Sequence, residues 1–210
     1  MNTLSEKQLH ELSSIVRVGM SEASRSLTIW LQRDVHVATE EVKQVSLEIV
    51  TELLGPGDMT ICACWMHISG GINGKLLFGF DDASGLKLCD ALLSRSMKSV
   101  EWGELEKSAA METTNIIGCA FLNAIAQVFP KVPDGQLRQK DATWIPTPPI
   151  FVRDFAASIM QFAMIDQVSE SDRVLVVEIQ FTIDITPVNW RLLLIPDAES
   201  LKQLVGIPYE

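Results

Sequence analysis

The predicted secondary structure elements occur in the same order twice along the 210-residue chain. Each half reads as a long helix, a stretch interrupted by Pro or Gly, a β-hairpin and a short helix that opens after an Asp. The segment 81–86 (DDASGL) is similar to the segment 196–201 (PDAESL), and a period of that length is too long for a solenoid repeat. The pattern predicts an internal duplication, with halves at about 1–98 and 99–210, packed as a single domain.

The periodicity of apolar residues predicts the individual elements. A capping box at Ser5 and Gln8 opens the first helix, which runs to about Gln32 with Trp30 on its buried face. The second long helix spans about Val100–Val128. The remaining elements are a mixed extended stretch at 35–50, a hairpin of 59–68 with 75–80, helices at 86–93 and 151–168, strands at 174–183 and 190–195 joined by a turn at 186–189, and a closing helix after 196.

These elements predict an α/β (α+β) fold. Antiparallel strands from both halves form one central sheet, and the two long helices lie on one face of it.

Net charge and composition exclude several classes of protein. A formal net charge of -10 argues against nucleic acid or an anionic membrane as the main partner. No apolar run approaches the roughly 20 residues of a membrane span, and the N-terminus has no secretory h-region. The four cysteines lack zinc-site spacing and are interpreted as buried thiols, so we expect a cytoplasmic protein.

One polar stripe marks the second long helix. Ser108, Glu112 and Asn115 stand at i, i+4 and i+7, and Glu112 is the only charged residue between Lys107 and Lys131. The stripe is either a hydrogen-bonded polar pair in the core or a working site.

Residues further along the same side of this helix are candidate contacts for a partner. The small residues Gly118 and Cys119 would allow another surface to approach closely, and Asn123 continues the stripe. The three histidines are scattered, so the sequence predicts no metal site. Trp144 is the one tryptophan interpreted as a possible partner contact.

The stripe and two later segments resemble the CheC-type chemotaxis phosphatase family (CheC, CheX and FliY). The family signature matches Ser108, Glu112 and Asn115, continued by IIGCAFLNAI at 116–125. The segment 145–150 (IPTPPI) is similar to the family's proline-containing stretch, with Pro149 as the motif proline, and 193–201 (LLIPDAESL) is similar to the family's ending. Between Asn115 and Pro149 stand 33 residues, more than is usual in the family, which predicts an extra loop at about 131–143.

The resemblance implies hydrolysis of the aspartyl-phosphate of a CheY-like response regulator receiver. It implies that Asn115 orients the attacking water, that Glu112 engages the receiver's lysine, and that Ser108 and Pro149 support them. The protein would need no cofactor of its own, because the receiver supplies Mg²⁺. Many members of the family carry a second motif on the first helix, but the aligned residues here are His10, Ser14 and Arg17, with Glu40 at the proline position, so one active site is expected.

Two other interpretations stay open. The chain could be a non-catalytic member that docks a receiver, a flagellar switch component or a CheD-like deamidase. It could also be a structural domain in which the stripe is buried. A homodimer is compatible with each interpretation.

Overall fold

The structure, a computed structural model, describes residues 3–93, 99–128, 144–164, 173–183, 186–197 and 199–200. The first half contains α1 (Glu6–Leu31), β1 (Val35–Ser46), α2 (Leu47–Leu53), β2 (Thr60–Ser69), β3 (Gly74–Phe80) and α3 (Asp82–Leu92). The second half contains α4 (Glu104–Val128), β4 (Ile145–Pro146), β5 (Ile150–Phe155), α5 (Ala156–Met164), β6 (Arg173–Ile183) and β7 (Thr186–Pro196). The extra loop predicted at 131–143 and the closing helix beyond Ser200 lie outside the described residues.

Local sequence accounts for where several helices begin. The Ser5 side chain accepts from the Gln8 backbone N–H and the Gln8 side chain accepts from that of Ser5, which confirms the predicted capping box. The Asp81 carboxylate accepts from the Ser84 N–H at 2.8 Å, and the Asp197 carboxylate accepts from the Ser200 N–H at the same distance. The two Asp–Ser caps have the same local geometry, but they are offset by one position in the alignment of 81–86 with 196–201, which pairs Asp82 with Asp197.

The strands described here form one antiparallel sheet with a pseudo-symmetric order. The order is β1-β6-β7-β3-β2, and β4 and β5 both pair with the remaining edge of β2. From the central β7–β3 pair, the strands read β6 and β1 in one direction and β2 and β5 in the other, so equivalent strands occupy equivalent places. Each half thus gives its first long strand to the other half's hairpin. The predicted fold class is confirmed, and the boundary near residue 98 stays a prediction.

Helices cover both faces of the sheet. The long helices α1 and α4 pack against each other and share one core with α3, which confirms the prediction that they lie on one face. Alternate residues of each strand point to the opposite face, where α2 and α5 pack on a second core. This arrangement explains why β2 and β3 are buried along almost their whole length.

Two predicted elements in the second half are wrong in type. Residues 151–155, predicted as the start of a helix, belong to β5, which pairs with β2 through Thr60–Trp65, and the helix begins only at Ala156. Short apolar runs are ambiguous between helix and strand, and here the free edge of β2 decides. Residues 186–189, predicted as a turn, belong to β7 and pair with β6. Pro187 is accommodated near the start of the strand.

Two tryptophans differ from the prediction in their exposure to solvent. Trp30, placed by periodicity on the buried face of α1, is 43% exposed. Trp144, interpreted as a possible partner contact, is 5% exposed and belongs to the core shared by α1 and α4. Trp30 lies in the last turn of α1, one residue before its end at Leu31.

Candidate functional site

The polar stripe of α4 faces the surface of the protein. Ser108 and Glu112 are exposed and Asn115 is half-buried, while Ala109, Ala110, Thr113 and Thr114 between them are buried. Within the described part of the chain, Glu112 makes no ion pair or side-chain hydrogen bond. The interpretation of the stripe as a satisfied pair inside the core is therefore wrong.

Asn115 retains most of its hydrogen-bonding capacity. Its Oδ1 accepts a long hydrogen bond from the Cys119 thiol, with a sulfur–oxygen distance of 3.6 Å. A thiol is a weak donor and an amide oxygen has two lone pairs, so this contact leaves the amide able to donate and to accept elsewhere. The carboxylate of Glu112 lies one turn away on the same helix.

The predicted partner residues further along α4 separate into two environments. Asn123 is exposed and Cys119 is half-buried, so both are on the accessible side of the helix. Gly118 is buried against the sheet: a Cβ placed there would lie 2.9 Å from Met66 Cε and 3.2 Å from Leu76 Cδ2. The prediction that Gly118 contacts a partner is wrong, because the close approach that this glycine allows is that of the protein's own sheet.

Burial makes Cys119 a poor nucleophile. Desolvation raises the pKa of its thiol, and the negative charge of Glu112 raises it further. Only the thiolate is reactive, so the interpretation of Cys119 as a small packing residue agrees with this environment. Cys62, Cys64 and Cys89 are buried, and all four cysteines are free thiols.

Pro149 lies immediately before β5, one of the strands that α4 contacts. Phe151, two residues later, packs against Trp102 with ring centroids 4.8 Å apart. Arg153 then binds Asp82 through two hydrogen bonds of 2.9 and 2.7 Å. Proline restricts the conformation of the chain where it enters this anchored strand.

Asp82 is the centre of a polar cluster that includes Arg153 of β5. Its carboxylate also accepts from Trp102 Nε1 at 2.8 Å and from the Cys62 thiol at 3.2 Å. The hydrogen bonds from Arg153 are the largest cause that lowers the pKa of Asp82 to about 2. The cluster joins α3, β2 and β5 and fixes the edge of the sheet near α4.

A surface pocket begins at the N-terminal end of the stripe. It has a volume of about 240 Å³ and lies between the ends of α1 and α3 and the first turns of α4. Its lining comprises Trp30, Leu92, Leu93, Leu105, Ser108, Ala109 and Glu112. This pocket was not predicted from the sequence, because the periodicity of α1 places Trp30 in the core and no local pattern distinguishes Leu105 from a buried residue.

The equivalent surface of α1 lacks the motif chemistry. The two long helices begin 98 residues apart, at Glu6 and Glu104, and this offset places His10, Ser14 and Arg17 at the motif positions. All three are exposed, but they bind one another: Arg17 Nη2 donates to Ser14 Oγ at 3.0 Å, and Ser14 Oγ donates to the His10 carbonyl at 3.2 Å. No carboxylate or amide stands at these positions of α1.

Across the described ranges, no three or more His, Cys, Asp or Glu side chains are grouped closely enough to hold a metal ion. None of the helices found in those ranges has the length and apolar character needed to cross a membrane.

No family model and no curated protein matches the sequence. Comparison with solved structures identifies the fold as CheC-like. The chain is similar to FliY of Thermotoga maritima, with a TM-score of 0.74, 16% identity and coverage of 96% of this chain and 95% of that one. It is also similar to the FliM middle domain of H. pylori, with a TM-score of 0.65, 13% identity and coverage of 96% and 99%.

A third similar structure is the chemotaxis protein CheX of Desulfovibrio desulfuricans, with a TM-score of 0.50, 12% identity and coverage of 86% and 99%. The resemblance predicted from the α4 motif is thus confirmed at the level of the fold. FliM also occurs among the similar structures in a complex with FliG from H. pylori, with a TM-score of 0.64, 14% identity and coverage of 95% and 99%.

Proposed function

We propose that this chain is a CheC-type phosphatase that hydrolyses the aspartyl-phosphate of a CheY-like receiver, with one active site at Glu112 and Asn115. The observation that carries the proposal is an exposed carboxylate without an ion pair in the described structure, one helical turn from an accessible amide. Both residues belong to the pattern on α4 that resembles the family signature, and the fold of the chain is CheC-like.

Hydrolysis of an aspartyl-phosphate requires a water molecule placed in line with the bond from phosphorus to the carboxylate oxygen. Such reactions depend on positioning and charge stabilisation more than on covalent chemistry. The Asn115 amide can accept a hydrogen bond from the water and donate one to the phosphoryl group. A neutral amide suits this role, because a carboxylate at the same place would repel the phosphate.

Glu112 would bind the receiver's lysine and thereby hold Asn115 in the receiver's site. Unlike Arg17 and Ser14 on α1, Glu112 has no internal partner in the described structure that it would have to exchange for this contact. Ser108 and Pro149 would support the stripe and the neighbouring strand, and the receiver's own Mg²⁺ would stabilise the phosphoryl charge. These roles rest on the family resemblance.

Phosphate release from phosphorylated CheY-like receivers tests the proposal. We expect Asn115→Ala to reduce kcat by about 10²-fold or more, the usual range for a group that positions a reactant. Glu112→Gln should mainly raise KM. Arg17→Ala removes the residue aligned with Asn115 on α1 and should leave the rate unchanged. An unchanged rate in Asn115→Ala would contradict the catalytic assignment.

A second candidate function is docking without hydrolysis. The similarity to the FliM middle domain favours it, since a FliM of this fold is found in complex with FliG. In that case the chain would bind a receiver or a flagellar switch component, and wild-type protein would release no phosphate. Equal affinity of wild type and Asn115→Ala, without turnover by either, would favour docking.

A further inference from the structure

We infer that the pocket beside Glu112 is the anchor for the receiver, taking one large apolar side chain from the receiver's surface. This inference rests on the proposed function, because it concerns the same site and partner. The pocket is bounded by the ends of α1 and α3 and by the first turns of α4, and its lining combines mostly apolar residues with one acidic residue, Glu112.

The size of a protein–protein interface places the pocket within the receiver's footprint. A standard interface buries about 800 Å² on each partner, equivalent to a disc of radius about 16 Å. Leu105 precedes Asn115 by ten residues, or about 15 Å along α4 at the helical rise per residue. A receiver whose phosphorylated aspartate meets Asn115 would therefore also cover Ser108, Leu105 and Trp30 if its footprint extends towards the start of α4.

Glu112 indicates that the footprint extends in this direction. Glu112 lines the pocket and also belongs to the polar stripe that contains Asn115, so one residue joins the two surfaces. Two hydrophobic residues of the lining are exposed: Trp30 is 43% exposed and Leu105 is 51% exposed. A tryptophan beside a pocket is typical of an interface residue that contributes strongly to binding.

The pocket also defines the chemistry of its occupant. Trp30, Leu92, Leu93 and Leu105 provide apolar walls, and the single acidic group lies on the side of the reaction site. The matching surface is an aromatic or long aliphatic side chain beside a lysine. The apolar contact supplies affinity, and the contact between lysine and Glu112 sets the orientation.

Binding can be measured separately from turnover in the Asn115→Ala background. Titration calorimetry with beryllofluoride-loaded CheY-like receivers from the same organism gives the Kd. Adding Trp30→Ala should raise Kd at least tenfold, and adding Leu105→Ala should raise it severalfold. Ile29→Ala is the matched control: Ile29 precedes Trp30 and is 68% exposed, but it does not line the pocket, so Kd should change less than twofold.

Steady-state kinetics give an independent measurement. In otherwise wild-type protein, Trp30→Ala should raise KM and leave kcat unchanged, whereas Asn115→Ala should lower kcat. Leu105 is exposed on the first turns of α4, so we expect Leu105→Ala to fold normally. This variant therefore tests the pocket even if Trp30→Ala does not fold.

Failure of the inference is distinguishable from failure of the proposed function. If the wild type hydrolyses the phosphate but Trp30→Ala and Leu105→Ala have the same Kd as Ile29→Ala, the anchor is wrong and the phosphatase proposal is retained. Tight binding without hydrolysis, weakened by both pocket variants, would support the anchor and reject the phosphatase. Absence of receiver binding would overturn both. A dimer in sedimentation that Leu105→Ala dissociates, with receiver affinity unchanged, would assign the pocket to a second copy of the chain and overturn the anchor.

Discussion

The two long helices each contain a buried glycine, and we expect an added methyl group to destabilise the protein at Gly19 and to leave its stability almost unchanged at Gly118. In Gly19→Ala, the new Cβ on α1 would lie 2.9 Å from Ala124 Cβ and 3.2 Å from the Phe121 Cα of α4. In Gly118→Ala, the nearest atoms are Met66 Cε at 2.9 Å and Met66 Sδ at 3.0 Å. An alanine Cβ and a helix backbone cannot move alone, whereas the end of a methionine side chain can change rotamer.

The expected magnitudes follow from this difference. Both variants gain about 1 kcal/mol because alanine has a higher helix propensity than glycine. Overpacking at Gly19 costs about 1–3 kcal/mol, since the helices must separate, so the free energy of unfolding should fall by up to about 2 kcal/mol. At Gly118 the end of the Met66 side chain can shift instead, at a cost of about 0.5–1.5 kcal/mol, which leaves a net change near zero.

Thermal or urea unfolding of the two variants measures the contrast. For a chain of this size, about 2 kcal/mol corresponds to a decrease in Tm of about 4–8 °C. In the double variant Gly19→Ala, Ala124→Gly, the closest contact is removed and part of the lost stability should return, with a favourable coupling between the two sites. If Gly19→Ala proved as stable as Gly118→Ala, the close packing of α1 on α4 would be refuted.

Two further predictions concern ionisable groups near the site. The pKa of Asp82 in the folded protein is about 2, below its usual 3.8, so its hydrogen bonds stabilise the protein above about pH 4 and this stabilisation is lost as the pH falls towards 2. The pKa shift corresponds to at most about 2.5 kcal/mol of stability. Because the Asp82 side chain is 37% exposed, we expect a contribution of about 1 kcal/mol. Asp82→Asn should lower the free energy of unfolding by this amount at pH 6 and should make it depend less on pH between about 4 and 2. The half-buried Cys119 should react with a thiol reagent before the three buried cysteines, and Glu112→Gln should speed that reaction at pH 8 by lowering the thiol pKa; no acceleration would show that the carboxylate does not act on the thiol.

Local sequence was sufficient to predict the elements that depend on local interactions. The Ser5 capping box, the long helices and the β2–β3 hairpin depend on residues a few positions apart, and all were found where periodicity and caps indicated. The exposed stripe of Ser108, Glu112 and Asn115 was predicted as a candidate site on the same basis, because three positions on one helix share a face whatever surrounds them.

Tertiary structure alone determined which partners those elements meet. Residues 150–155 became a strand because β2 from the other half offered a free edge, and no local signal in those residues records that edge. Trp30, Trp144 and Gly118 were each assigned to the wrong environment, since burial depends on segments distant in the chain. The same dependence created the pocket beside Glu112, where the ends of α1 and α3 meet the start of α4. The spacing of residues predicts which side chains share one face of a helix. The segments that pack against or beside that face are determined only when the strands of the two halves pair and the helices pack on the sheet.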